Sequence, residues 1–209
     1  MSLARTERAA LADLFEQVGP DQPTLCEGWQ TLDLLIHLLV RERDPLGAVG
    51  TQVKPLHGFT EKAQDSYRAR PWADLISEYR GGPPAWNPTG WGPLNDLANG
   101  GEMFIHHEDV RRGQAGWRPR ELSLADTAEL TRSVKSGLSR LALRKAQSGI
   151  VAQLPGQDPV VLRKGEPVVT LIGDPGEVVL WVSGRDAVQI EFDGDPAAAG
   201  SLRVLQRGF

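Results

Sequence analysis

Apolar residues recur at helical spacing through the first half of the chain. Leu3, Leu11, Leu14, Phe15 and Val18 mark one face of a first helix, and Gly19-Pro20 stops it. A polar loop follows, from Asp21 to Trp29. Thr31 is placed to cap a second helix with Asp33 in its first turn. That helix carries Leu34, Leu35, Ile36, His37, Leu38, Leu39 and Val40, and His37 is the one polar residue in the run. Pro45 and Gly47 end or kink it. A loop from Gly50 to Gly58 leads to a third helical region starting near Thr60, which Pro71 splits before Trp72 to Tyr79. Gly81-Gly82-Pro83-Pro84, Trp86 and Trp91 then read as a long irregular loop. The two tryptophans are expected to cover the bundle rather than to wall a pocket. A fourth helix is expected from Leu94 to Arg112, ending at Gly113.

The pattern then changes. Trp117-Arg118-Pro119-Arg120 resembles a linker, and Ser123 caps a long helix from Leu124 to Ala146. Short β-rich runs follow at Ile150 to Leu154, Pro159 to Arg163, Val168 to Ile172 and Val188 to Phe192. Helices at Pro175 to Ser183 and Pro196 to Gln206 complete the chain. The expected fold is α+β in two domains: a helical bundle over residues 1–115 and a small α+β domain over 116–209.

Composition narrows the function. The chain has 209 residues, 40% hydrophobic and 24% charged, which is ordinary globular usage and sufficient for a packed core. The net charge of −4 argues against a general nucleic-acid or membrane-surface binder. One cysteine excludes an intrachain disulfide and a Cys-rich zinc site. No apolar signal core or span of about 20 apolar residues is visible, so a cytoplasmic location is expected.

Chemistry concentrates on the fourth helix, in Glu102-Met103-Phe104-Ile105-His106-His107-Glu108-Asp109. Glu102 and His106 are four apart and project from one face, with Asp109 near it. His107 is turned by about 100° and Glu108 by about 200° from His106. Glu108 is therefore a poor partner for His106, while His107 either faces solvent or backs the site. Two helices of a bundle can bring His37 against Glu102 and His106. That His-Glu-His set suits zinc or another divalent transition metal such as nickel or iron, with one position open. Asp109 can hold the free ring nitrogen of a ligating histidine. The competing reading makes His37 a hydrogen-bonded core residue and Glu102/His106 a solvated face. Cys26 reads as a small buried side chain or as a thiol near the metal. His57 has no partner at metal spacing and is expected to be exposed.

Leu25-Cys26-Glu27-Gly28-Trp29, followed by Thr31-Leu32-Asp33-Leu34-Leu35-Ile36-His37-Leu38, resembles the opening signature of the mycothiol-dependent maleylpyruvate isomerase family. That family belongs to the DinB/YfiT-like superfamily of metal-binding four-helix bundles. Its second signature, Glu-x-x-x-His-x-x-Asp, matches Glu102, His106 and Asp109. The resemblance implies that His37, Glu102 and His106 are the metal triad. It also implies that the C-terminal half is an α+β unit like sterol carrier protein type two, through Gly173-Asp174-Pro175-Gly176-Glu177 and Ser183-Gly184-Arg185. The stretch from His106 to Arg112 is similar to an actinobacterial subfamily described only as metal-binding, whose activity the resemblance does not supply.

The implied chemistry is that of a mycothiol-dependent isomerase or thiol S-transferase. Its partners would be a low-molecular-weight thiol and a small-molecule electrophile, and the protein would be a monomer or homodimer. Arg185 and Arg111 are the candidate cations for a substrate carboxylate. Arg185 can equally cap the carbonyls of the helix before it, and Arg111 can equally be a surface charge near a helix C-terminus. Two alternatives stand beside the thiol enzyme. One is a non-catalytic metal-binding or stress protein; the other is a metal-assisted hydrolase with Asp109 or Glu108 as base.

Overall fold

A computed structural model describes residues 2–44, 57–87 and 92–208. The chain divides into two compact units, Met1–Trp117 and Arg118–Phe209. The first is helical; the second is built on a sheet.

In the first unit, α1 (Leu3–Val18) buries Leu3, Ala4, Leu11, Ala12 and Phe15. Its end is set by Gly19, whose N–H donates to the Phe15 carbonyl at 3.0 Å with φ near +83°. α2 (Thr31–Arg43) is buried on most sides: Leu34, Leu35, Ile36, Leu38, Leu39 and Val40 all lie inside. Its cap falls one residue earlier than expected. Gln30 is the N-cap, and its N–H donates to the Asp33 carboxylate at 3.1 Å. Thr31 instead ties the preceding loop to the helix, since its hydroxyl donates to the Gly19 carbonyl at 2.6 Å. α3 (His57–Arg68) begins ahead of Thr60, so His57 lies at a helix start rather than in a loop; its side chain is outside the described residues. The break at Pro71 is present, and α4 (Trp72–Arg80) follows.

α5 (Gly92–Gly113) is the longest helix among the described residues. Leu11 and Phe15 of α1, the apolar run of α2, Leu75, Ile76 and Tyr79 of α4, and Met103 and Val110 of α5 share one core. Burying that much aliphatic and aromatic surface is the main force holding these helices together. Trp86 is not part of that core: it is 55% exposed. Residues 81–87 of the expected loop are irregular, while Trp91 with residues 88–90 and the turn at Pro45 and Gly47 fall outside the described residues.

In the second unit, Ser123 caps α6 (Leu124–Val134), accepting from the Asp126 N–H at 3.2 Å. The long helix expected to reach Ala146 is interrupted. Ser136 and Gly137, poor helix formers, break it, and α7 (Gly137–Ala142) is a separate short turn of helix. The sheet has the order β2-β1-β3-β4, with β1 (Gly149–Gln153), β2 (Val160–Arg163), β3 (Val168–Ile172) and β4 (Glu191–Gly194). The central pair β1–β3 is parallel and both outer pairs are antiparallel. α8 (Pro175–Val182) is buried along its whole length, which explains its nearly uniform apolar sequence. The last strand begins at Glu191, three residues later than the run from Val188 suggested, and α9 (Pro196–Arg203) ends at Arg203 rather than Gln206.

Candidate metal centre

Two helices and one loop of the first unit build the site. α2 presents His37, and α5 presents Glu102, His106 and Asp109. The spacing of four along α5 stacks Glu102 and His106, with His106 Nε2 3.8 Å from a Glu102 carboxylate oxygen. The His37 and His106 rings meet edge to face with centroids 5.6 Å apart. One donor atom from each of His37, Glu102 and His106 falls within 4.8 Å of the others. The three residues that the sequence singled out are therefore brought together.

Asp109 is fully buried, and its carboxylate faces the other ring nitrogen of His106 at 3.0 Å. An Nδ1–H donated to Asp109 leaves Nε2 as the nitrogen with a lone pair, directed to the Glu102 side. Cys26 joins the same carboxylate. Its Sγ lies 3.3 Å from Asp109 Oδ2, so the thiol donates to the oxygen that also receives His106. Cys26 is half-buried and hydrogen-bonded, not a simple apolar filler. Cys26, His106 and Asp109 form a second group of close donor atoms around the far nitrogen of the same ring.

The loop that carries Cys26 is fixed to α5 by its backbone. Leu25 N–H donates to the Asp109 carbonyl at 3.0 Å, and Gln114 Nε2 donates to the Pro23 carbonyl at 3.1 Å. Inside the loop the Thr24 hydroxyl donates to the Trp29 carbonyl at 2.9 Å. Gly28 takes a φ near +75°, where a side chain is disfavoured. The turn delivers Trp29 to His37, with ring centroids 5.1 Å apart.

Burial pushes the His37 pKa down to about 4, helped by the neighbouring His106 and Arg41. Its imidazole is thus neutral at physiological pH, the form that binds metals. Arg41 lies one turn after His37 on α2 and forms an ion pair with Glu102. Both terminal nitrogens of Arg41 also donate to the Asn99 side-chain oxygen at 3.1 Å. The sequence reading missed Arg41 and Asn99. The available signal was position: one lies a turn beyond His37 and the other a turn before Glu102.

The remaining candidates have other surroundings. His107 is buried and meets Glu7 of α1 at 2.6 Å, so it does not face solvent. Glu108 is buried and paired with Arg111 at 2.8 Å and Arg112 at 2.6 Å, away from His106 as its helical angle requires. In the second unit, Arg185 Nη1 donates to the Ser183 carbonyl at 2.6 Å, just past the end of α8.

The mixed α/β fold of the chain has parallels among solved structures. The fold matches crystal structures of the mycothiol-dependent maleylpyruvate isomerase. The match has a TM-score of 0.53 at 14% identity and covers 91% of this chain and 90% of that one. A mutant of the same enzyme matches with a TM-score of 0.52 at the same identity and coverage. These likenesses establish the fold. No protein-family profile matches the sequence. No curated protein matches it either.

Proposed function

We propose that His37, Glu102 and His106 bind a divalent transition metal and that the protein uses it to handle a low-molecular-weight thiol of the mycothiol type. The reading is a mycothiol-dependent isomerase or thiol S-transferase. Its central support is the convergence of two imidazoles and a carboxylate within 4.8 Å, carried by two helices that share a core. The donor chemistry fits: two borderline nitrogen ligands and one oxygen suit zinc first, with nickel or iron as alternatives. The fold of a mycothiol-dependent isomerase is the second support.

When bound, such an ion lowers the pKa of a thiol so that thiolate is available at neutral pH. The chain's own residues do the rest. Burial keeps His37 unprotonated, Asp109 fixes the orientation of His106, and Trp29 packs against His37. Cys26 is the one cysteine of the chain and its thiol is engaged with Asp109, so the reacting thiol is supplied from outside. A carboxylate-bearing electrophile would need a cation near the metal; Arg111, the candidate on α5, is held by Glu108 on the side away from His106. The hydrolase alternative is weaker. Asp109 Oδ2 already accepts from both Cys26 and His106, and Glu108 is turned away into Arg111 and Arg112. No helix among the described residues is long and apolar enough to cross a membrane, and a cytoplasmic location is part of the proposal.

Titration of the cobalt-substituted protein with mycothiol tests this reading. A new sulfur-to-metal charge-transfer band that saturates with thiol is the expected result. A cobalt spectrum unchanged at millimolar mycothiol would remove the thiol enzyme and leave a metal-binding protein.

A further inference from the structure

Glu102 is bounded on both sides. One carboxylate oxygen faces His106 Nε2 at 3.8 Å, and the other forms the ion pair with Arg41. Arg41 is itself held, because two of its nitrogens converge on the Asn99 side-chain oxygen at 3.1 Å. Asn99 is fully buried, whereas Arg41 and Glu102 are each 27% exposed. A half-exposed glutamate on a helix ordinarily samples several rotamers, and fixing one of them costs side-chain entropy. Here the rotamer is set by a planar guanidinium whose other edge is anchored to a buried amide.

The helical geometry makes the arrangement specific. Asn99, Glu102 and His106 lie at i, i+3 and i+7 on α5, so they share one face. His37 and Arg41 lie at i and i+4 on α2 and meet that face. The two helices thus carry two layers: a donor layer of His37, Glu102 and His106, and a clamp layer of Arg41 and Asn99.

We infer that Arg41, anchored by Asn99, is a positioning residue that holds Glu102 in the stance needed to complete the metal-binding triad. The inference rests on the proposed metal site. Its sign is not trivial. A nearby cation by itself repels a divalent ion, so removing Arg41 for charge alone would tighten metal binding. A positioning role predicts the opposite. Partners that orient metal ligands typically contribute about 10–100-fold in affinity.

The test compares zinc affinity, by competition with a chromophoric chelator, and the ligand-field spectrum of bound cobalt. The proteins are the full-length wild type, Arg41→Gln, Arg41→Lys and Asn99→Ser. Arg41→Gln is expected to weaken zinc binding by about 10–100-fold and to shift the cobalt bands. Arg41→Lys keeps the charge but loses the fork, so it should fall between wild type and Arg41→Gln. Asn99→Ser should shift affinity in the same direction by a smaller factor, and it carries the test if Arg41→Gln does not fold. Unchanged or tighter zinc binding in the folded variants, with an unchanged cobalt spectrum, would overturn the positioning role while leaving the metal site standing. A wild-type protein that binds no zinc would instead remove the metal site itself, and the inference with it.

Discussion

His37 owes its resistance to protonation below neutral pH to its surroundings. An ordinary histidine titrates near 6.5; burial among the apolar residues of α2, with His106 and Arg41 close by, lowers this one to about 4. The linkage has a definite sign. Between about pH 6.5 and 4 the unfolded chain takes up a proton at this position that the folded chain refuses, so folding stability falls as pH drops through that window. Below about 4 both states are protonated and the contribution no longer changes. The melting temperature of metal-free protein should therefore fall on acidification over this range, with a shallower slope in His37→Asn. Identical slopes for the two proteins would place the proton uptake elsewhere. At this scale much was legible in the sequence. His37 stood out as a lone polar residue in an apolar run, and Glu102, His106 and Asp109 stood out by helical spacing. Arg41, Asn99 and the contact of Cys26 with Asp109 were not, because each depends on which elements meet across 58 to 83 residues of chain.

Among elements, the loop before α2 and the end of α5 depend on each other. Gly113 packs so tightly on this loop that an added Cβ would lie 2.3 Å from the Pro23 carbonyl oxygen. Backbone on both sides leaves little room to yield. Gly113→Ala should push the loop off α5 and destabilise the first unit by about 1–3 kcal/mol in chemical denaturation, as overpacking generally does. A fully stable variant would show that the loop adapts freely. This close approach was hidden in the sequence, where Gly113 reads only as a helix stop. Helix existence was far more legible than helix limits. The breaks at Gly19 and Pro71 follow from backbone chemistry that the sequence displays directly. The break at Ser136-Gly137 is written in the same way, as two poor helix formers, whereas the late start of the last strand follows its partner, since Glu191 pairs with Ile172 at the end of β3.

At the scale of the whole molecule, a helical unit and a sheet-based unit occur in one chain, and the chain carries the fold of a mycothiol-dependent isomerase. Fold alone does not fix chemistry, since one scaffold hosts many reactions. The account therefore depends on the donor cluster, all of which lies in the first unit. Its central claim is that the intact protein holds a divalent ion on His37, Glu102 and His106. The most direct measurement is the metal content of purified, zinc-loaded wild type beside His37→Ala and His106→Ala, by elemental analysis after exhaustive dialysis. The account predicts about one ion per wild-type chain and a large loss in both variants, because a three-ligand site does not survive removal of an imidazole. Equal metal content in all three proteins, or none in the wild type, would contradict it.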